Sequence, residues 1–391
     1  MNIMNIFSRL GICLPAILAL CSCVYDYEPE IKELQDERLV IEGDILVGSV
    51  SNVKVSLMKS LTSGTRGDYQ KVPVTAFVES STGEKYTGTV VETGNVEIDL
   101  TQAQSSAKYR MHVNDTRTGK EYASPWLDVQ KAPVIESVSV TADIPAGELS
   151  FYLSMHGNGS EYFRWTFDED WEYRAAYRAV LKYIPPVQRG ETGEIVEMPD
   201  SENLFYCWGK DHSKAINLAT TSGLATNALV NHRFYILGRA ERKISYVYCM
   251  TLKAQSLSQE CYRYWSNLEK VSEMSGDLFA PVPSEMRGNI KCLQDTTESV
   301  IGYINASELA EKKTFYYDAD HSFYRSDEKY EEPFVVPQNE WLKYYEKAYV
   351  PIDYDFEEFS VRYLWGRRDC ADCRSMGGTK NKPSWWPTSD L

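Results

Sequence analysis

From Leu39 onward, apolar and polar residues alternate with a period of two, the spacing of a strand with one face in a core. Leu39, Ile41 and Ile45 share one parity, and Val53, Val55 and Leu57 repeat it after a Gly/Ser turn. Ala76–Glu79 and Tyr86–Val91 flank Ser80-Ser-Thr-Gly-Glu84, and Tyr109, Met111 and Val113 lead into Asn114-Asp-Thr-Arg-Thr-Gly119 followed by Tyr122. Both tips read Thr-Gly-charged-charged-Tyr, with glycine where a hairpin turn needs positive φ. Short strands at this spacing over about a hundred residues predict an immunoglobulin-like β-sandwich over residues 38–131. It ends at Lys131-Ala-Pro133, where the proline pushes its neighbour to extended backbone.

The pattern continues as a larger β-rich domain over 132–391. Phe151–Met155 and Tyr162–Phe167 alternate, the latter placing Phe163, Trp165 and Phe167 on one face; Tyr173–Asn203 reads as a long loop or irregular hairpin. Ile244–Ala254 predicts a strand with Ile244, Tyr246, Tyr248, Met250 and Leu252 opposite Val247 and Cys249. One helix is expected over 257–275, started by a capping box of Ser256 and Gln259 and carrying an apolar stripe of Cys261, Tyr264, Trp265, Leu268 and Val271. Short strands and a loop-rich C-terminal segment follow Gly288. The fold class is therefore mainly β with one or a few helices.

A different pattern precedes residue 38. Leu10–Leu20 is an unbroken apolar run, too short to span a bilayer but the length of a signal-peptide core. It ends in Leu20-Cys21-Ser22-Cys23, a leucine three residues before a cysteine with a small residue just ahead of it. This is the spacing for lipoprotein processing: a signal over residues 1–22 is removed and the Cys23 thiol is acylated. Several acyl chains make a firm anchor. Residues 23–37 form an acidic tether in which Asp26, Glu28 and Glu30 suggest export to the cell surface.

Composition narrows the partners. A formal charge of −15 over 391 residues argues against nucleic acid and against binding anionic membrane by charge. The 27 tyrosines suit strands first and interfaces second. Six cysteines beyond Cys23 in an exported chain allow up to three disulfides in 15 connectivities. Cys370-Ala-Asp-Cys373 lacks the second pair of a zinc site and the following helix of a redox motif, so it predicts a local staple of the C-terminal loop. Cys261 faces the sheet from the helix stripe and pairs with Cys249, which leaves Cys207 with Cys292; free buried thiols are the alternative.

Chemistry is sparse. Gly-x-Ser-x-Gly, Walker, dinucleotide and His-Glu-x-x-His motifs are absent, and the five histidines are scattered. Asp168-Glu-Asp-Trp-Glu172 lacks the spacing of a calcium loop and reads as a solvated strand end. No catalytic residue, metal or cofactor is expected. Near the C-terminus, Arg374, Lys380 and Lys382 cluster beside Trp385-Trp386 in an otherwise acidic chain, the make-up of a partner-facing loop; the competing expectation is a latch that pins the terminus to the body.

Leu39-Val-Ile-Glu-Gly43, Tyr162-Phe-Arg-Trp165, Cys207-Trp208, Ser256-Leu-Ser-Gln259, Gly288-Asn-Ile290 and Ile301-Gly-Tyr303 occur in order, and Cys370-Ala-Asp-Cys373 runs through Gly377-Gly-Thr379 to Trp385. This set resembles the Bacteroidota lipoprotein family called domain of unknown function 4249. Cys249 and Cys261 are additions to that pattern. The resemblance implies a surface lipoprotein of the outer membrane associated with a TonB-dependent transporter, with no catalytic residue to carry over. The expected role is capture of a nutrient, a peptide or a glycan. The rival is a structural scaffold, an adhesin or a subunit of an outer-membrane assembly complex.

Overall fold

A computed structural model describes residues 38–58, 70–188, 190–274, 288–318, 323–325, 329–357 and 360–387. The signal segment, Cys23 and the acidic tether lie outside the described residues. The chain is mainly β, built from several antiparallel sheets with few helices.

The first body is a two-sheet sandwich. One sheet runs Arg38–Glu42, Val50–Met58, Asn95–Asp99, Thr89–Glu92 in spatial order. The other runs Glu121–Ala123, Lys108–Asp115, Val74–Ser80, Lys85–Thr87. Expected parity holds: Leu39, Ile41, Ile45, Val53, Val55 and Leu57 are all buried in one core with Tyr109 and Met111. This strand order is that of an immunoglobulin-like sandwich. Tyr109, near the start of its strand, donates its phenol to the Gln104 carbonyl at 2.8 Å, the corner bond that locks such a fold.

The sandwich does not close with residues 38–131 alone. The segment 288–307 returns to it: Ile290, Cys292, Val300, Ile304 and Ala306 enter the same core. Lys291–Cys292 adds to the open edge of Glu121–Ala123, and Ala306–Ser307 pairs in parallel with Ile45–Leu46. An uncovered sheet edge is a row of unsatisfied backbone groups, and this distant segment satisfies it. Asn289 ties the segment's ends, its amide exchanging two 2.8 Å hydrogen bonds with the Ile304 backbone.

A second pair of sheets follows. Val134–Asp143, Glu148–His156 and Ala228–Gly238 face Tyr206–His212, Tyr162–Arg174, Val247–Ser256 and Ala310–Tyr317. Phe163, Trp165 and Phe167 do share the core face, meeting Phe151 and Tyr248 from their neighbours. The predicted 244–254 strand is Val247–Ser256 and is buried on both faces: Tyr248, Met250 and Leu252 enter the core, whereas Val247 and Cys249 pack under Trp386. The segment 173–203 contains the hairpin Leu181–Ile184 with Glu194–Glu197. A smaller aromatic cluster, Tyr183, Trp341 and Trp365, joins that hairpin to the C-terminal sheet of Phe334–Val335, Ser360–Arg367 and Tyr349–Glu357.

Two expectations change here. The acidic run 168–172 is mid-strand rather than a solvated end, and Glu169 points into the core at 2% exposure. It accepts from Tyr248 at 2.8 Å and Tyr235 at 3.1 Å and pairs with Lys243 at 2.7 Å, so the charge is matched inside the protein. Burial, together with this carboxylate, pushes both phenols well above the usual tyrosine value. The helix spans Gln259–Met274, and its N-cap is Ser258, whose Oγ accepts from the Cys261 amide at 3.1 Å. Ser256 is instead buried in the preceding strand.

Candidate ligand groove

The outer face of the first sheet is not bare. Strand alternation sends Leu39, Ile41, Val53, Val55 and Leu57 inward, so Val40 and Glu42 with Lys54, Ser56 and Met58 point away from the core. The helix Gln259–Met274 lays its aromatic side across this face. Cys261 and Tyr264 are buried, while Trp265 and Leu268 are partly exposed and line the gap that remains. The gap is a groove of about 420 Å³, closed at one side by Ile301-Gly-Tyr303 and at another by Thr93-Gly-Asn95.

Its walls are predominantly apolar and aromatic. Tyr264 and Tyr303 meet at 5.4 Å between ring centroids, and burial raises both phenol pKa values, keeping them neutral. The polar groups are balanced in sign: Glu42 and Glu92 against Lys54 and Lys71. Lys71 pairs with Glu92 at 2.8 Å, and that hydrogen bond holds the Glu92 carboxyl below its ordinary value. Such a groove suits a small, largely uncharged ligand with an apolar face and a polar rim.

Gly302 forms part of the wall because nothing larger fits. Its φ is +133°, and a Cβ there would sit 1.9 Å from the Ile41 carbonyl oxygen.

Behind Trp265, outside the groove's own lining, lies a buried polar joint between the two sandwiches. Asp44 of the first pairs with Arg164 of the second and accepts from Gln255 at 3.0 Å and from the Asn305 backbone at 3.2 Å. Gln255 in turn accepts from Ser307 at 3.1 Å, and Asn305 donates to the Ser256 carbonyl at 3.0 Å. The Arg164 guanidinium also lies 4.2 Å from the centre of the Trp265 ring. Trp265 is thus held by a cation that is itself held by a carboxylate, which makes one wall of the groove rigid.

The cysteines correct all three expected pairs. Cys207 is bonded to Cys373 with 5.7 Å between Cα atoms, while Cys249, Cys261, Cys292 and Cys370 are free and buried. Cys370 is buried within the short helix Arg368–Ala371, and the next turn, Cys373–Met376, is what lies against the strand Tyr206–His212. Cys249 sits beneath Trp386 and Cys261 behind the groove, so the strand-to-helix pair does not form. Burial pushes the Cys249 thiol up to about 12 and raises that of Cys261, keeping both protonated.

The C-terminal residues expected to face a partner are engaged within the chain. Arg374 pairs with Asp372 at 2.7 Å, and Lys380 donates to the carbonyls of Asn203 and Tyr206 at 2.7 and 3.1 Å. Lys382 lies 5.9 Å from the Trp208 ring. Trp386 is buried against Val247 and Cys249, whereas Trp385 stays 39% exposed between Lys313 and Phe315. Gly378 permits this docking: a Cβ there would lie 2.6 Å from that of Cys207. Among the described residues no group of three His, Cys, Asp or Glu side chains could hold a metal, and no helix is long and apolar enough to cross a membrane.

Residues 24–313 match the family model described as Domain of unknown function (DUF4249). The chain belongs to this family. No curated protein matches it. The part matched to DUF4249 starts just after Cys23 and ends before Cys370, so the C-terminal latch lies beyond it. Within the matched region, most segments that carried the resemblance meet at one place. Leu39–Gly43 and Ile301–Tyr303 contribute groove wall, Arg164 supports Trp265, and Ser258 caps the helix that bears it. Sequence reasoning finds these segments as motifs but not their convergence, because they are far apart in the chain; the neighbouring Asp44–Asn305 bond alone spans 261 residues.

Proposed function

We propose that this DUF4249 protein is a surface-exposed outer-membrane lipoprotein, tethered through Cys23, that serves as an accessory subunit of a TonB-dependent transporter and helps capture a nutrient, a peptide or a glycan. The observation that carries the capture role is the groove between sandwich and helix. It is concave, aromatic and apolar, rimmed by two carboxylates and two ammonium groups, and its Trp265 packs against Arg164, which is itself paired with Asp44. The Leu20-Cys21-Ser22-Cys23 spacing supports the tether, and a chain held at a membrane surface with a preformed groove suits delivery of a ligand to a neighbouring pore. The protein acts by binding and not by catalysis.

The test is affinity purification of the full chain from native membranes, alongside Cys23→Ala and Trp265→Ala variants. A TonB-dependent transporter should co-purify with the wild type, and Cys23→Ala should leave the membrane fraction or remain unprocessed. Trp265→Ala should keep the transporter but lower uptake of the nutrient. Recovery of an outer-membrane assembly complex in place of a transporter would assign the scaffold reading. Unchanged fractionation of Cys23→Ala would refute the anchor.

A further inference from the structure

A second pair of cavities lies far along the chain from the groove, where the C-terminal sheet meets the stapled loop. One, of about 460 Å³, is lined by Arg242, Lys329, Glu331, Arg367 and Asp369, among others. Its neighbour, of about 560 Å³, shares Arg367, Asp369 and Ser375 with it and adds Lys347, Arg368 and Arg374. Among the described lining residues, six cations therefore converge with three carboxylates, Glu331, Asp369 and Asp372, in a chain whose overall charge is −15.

Pairing within the site leaves an excess. Arg367 and Arg374 are committed to Asp369 and Asp372 through two-pronged contacts, and Glu331 accepts from the Tyr349 phenol at 3.0 Å. Lys329, Lys347 and Arg368 have no carboxylate within ion-pair distance among the described residues. Arg368 is held instead 5.0 Å from the centre of the Tyr345 ring. Its backbone amide is fixed at 2.8 Å to the carbonyl of Ala348, a non-glycine residue with φ of +64°. The Cys207–Cys373 bond braces the same loop from the other side. These unpaired cations stand on a preorganised frame, which lowers the entropic cost of binding an anion.

We propose that these adjoining cavities bind a carboxylate-bearing organic ligand, with Arg368 and Lys347 as its anion contacts. Arginine's planar fork matches a carboxylate, as the two internal Arg–Asp pairs already illustrate. Tyr330, Tyr349 and Met376 supply apolar surface beside the cations, which an organic acid uses and free phosphate does not. The carboxylate can come from a peptide's C-terminus or from an acidic sugar. This site is separate from the groove and stands whether or not that groove binds a nutrient.

The test uses the full chain in detergent and saturation-transfer NMR with defined probes. These are N-acetyl-dialanine and its C-terminal amide, galacturonate and galactose, and inorganic phosphate. At least one carboxylate probe should bind, its neutral partner should not, and which pair responds distinguishes peptide from sugar. Affinity should fall as sodium chloride rises from about 50 to about 300 mM, as a charge-steered contact requires. Arg368→Gln and Lys347→Gln should each weaken binding about tenfold at unchanged thermal stability, and Arg368→Lys should recover part of it, because both side chains are exposed. Equal binding of acid and amide, binding of phosphate alone, or no response of either variant would overturn the proposal.

Discussion

Removing the Glu169 carboxylate tests whether the charge inside the second sandwich is held as a unit. In Glu169→Ala, Lys243 keeps only Asp211, at 3.4 Å and 32% exposed, as an anionic partner. The phenols of Tyr235 and Tyr248 lose their acceptor in the core. Breaking a fully buried ion pair costs about 3–5 kcal/mol. Lys243 retains 19% side-chain exposure and one weaker partner, so its share falls below that range, to about 1–2 kcal/mol. The stranded phenols restore about 1 kcal/mol each, giving roughly 3–4 kcal/mol in all. With an m-value near about 3 kcal/mol/M, this is about a 1 M drop in the urea midpoint, read from tryptophan fluorescence. The double variant Glu169→Leu with Lys243→Met removes both charges and should recover at least about 1.5 kcal/mol relative to the sum of the single changes. A single-variant shift below about 0.3 M, or a double variant that loses the full sum, would refute the unit and leave Glu169 as an incidental core carboxylate.

The remaining expectations are narrower. Peptide mapping without reduction should recover one cross-linked pair, Cys207 with Cys373, and Cys207→Ser should cost about 2–4 kcal/mol; a peptide joined through Cys370 and Cys373 would contradict the pairing. Trp386→Ala should lower stability by about 3 kcal/mol in thermal melts, while Lys382→Glu should leave it nearly unchanged, because only the tryptophan is buried. If instead the lysine change abolishes partner association and the tryptophan change is silent, the segment is an interface and not a latch. Gly302→Ala should destabilise the first sandwich by roughly 1–3 kcal/mol from backbone strain alone, with a further cost from the clash with Ile41; a circular-dichroism melt unchanged from wild type would show that the wall can yield.

Local signals carry much of this architecture. A period of two needs only neighbouring residues to be read, so the inward parity of Leu39, Val53, Phe163 and Met250 is legible in the chain itself. The same holds for the apolar stripe of the helix, although its cap is Ser258 rather than Ser256, because the strand ahead of it runs two residues further than the alternation suggests. The lipoprotein reading rests on four adjacent residues and an apolar run, and tertiary structure adds nothing to it.

Pairing between distant segments is not legible, because alternation gives a strand its faces but not its neighbours. That is why residues 288–307 read as part of the second domain although they complete the core of the first. It is also why Cys373 finds Cys207 across 166 residues while Cys370, three residues away, stays free. Glu169 shows the same limit: its parity with Phe167 and Trp171 is visible in the sequence, but only the arrival of Lys243, Tyr235 and Tyr248 makes a carboxylate tolerable there. The groove is the fullest case. Its motifs are readable as separate fragments, and only sheet register and the helix crossing the first sandwich bring Glu42, Trp265 and Tyr303 to one surface.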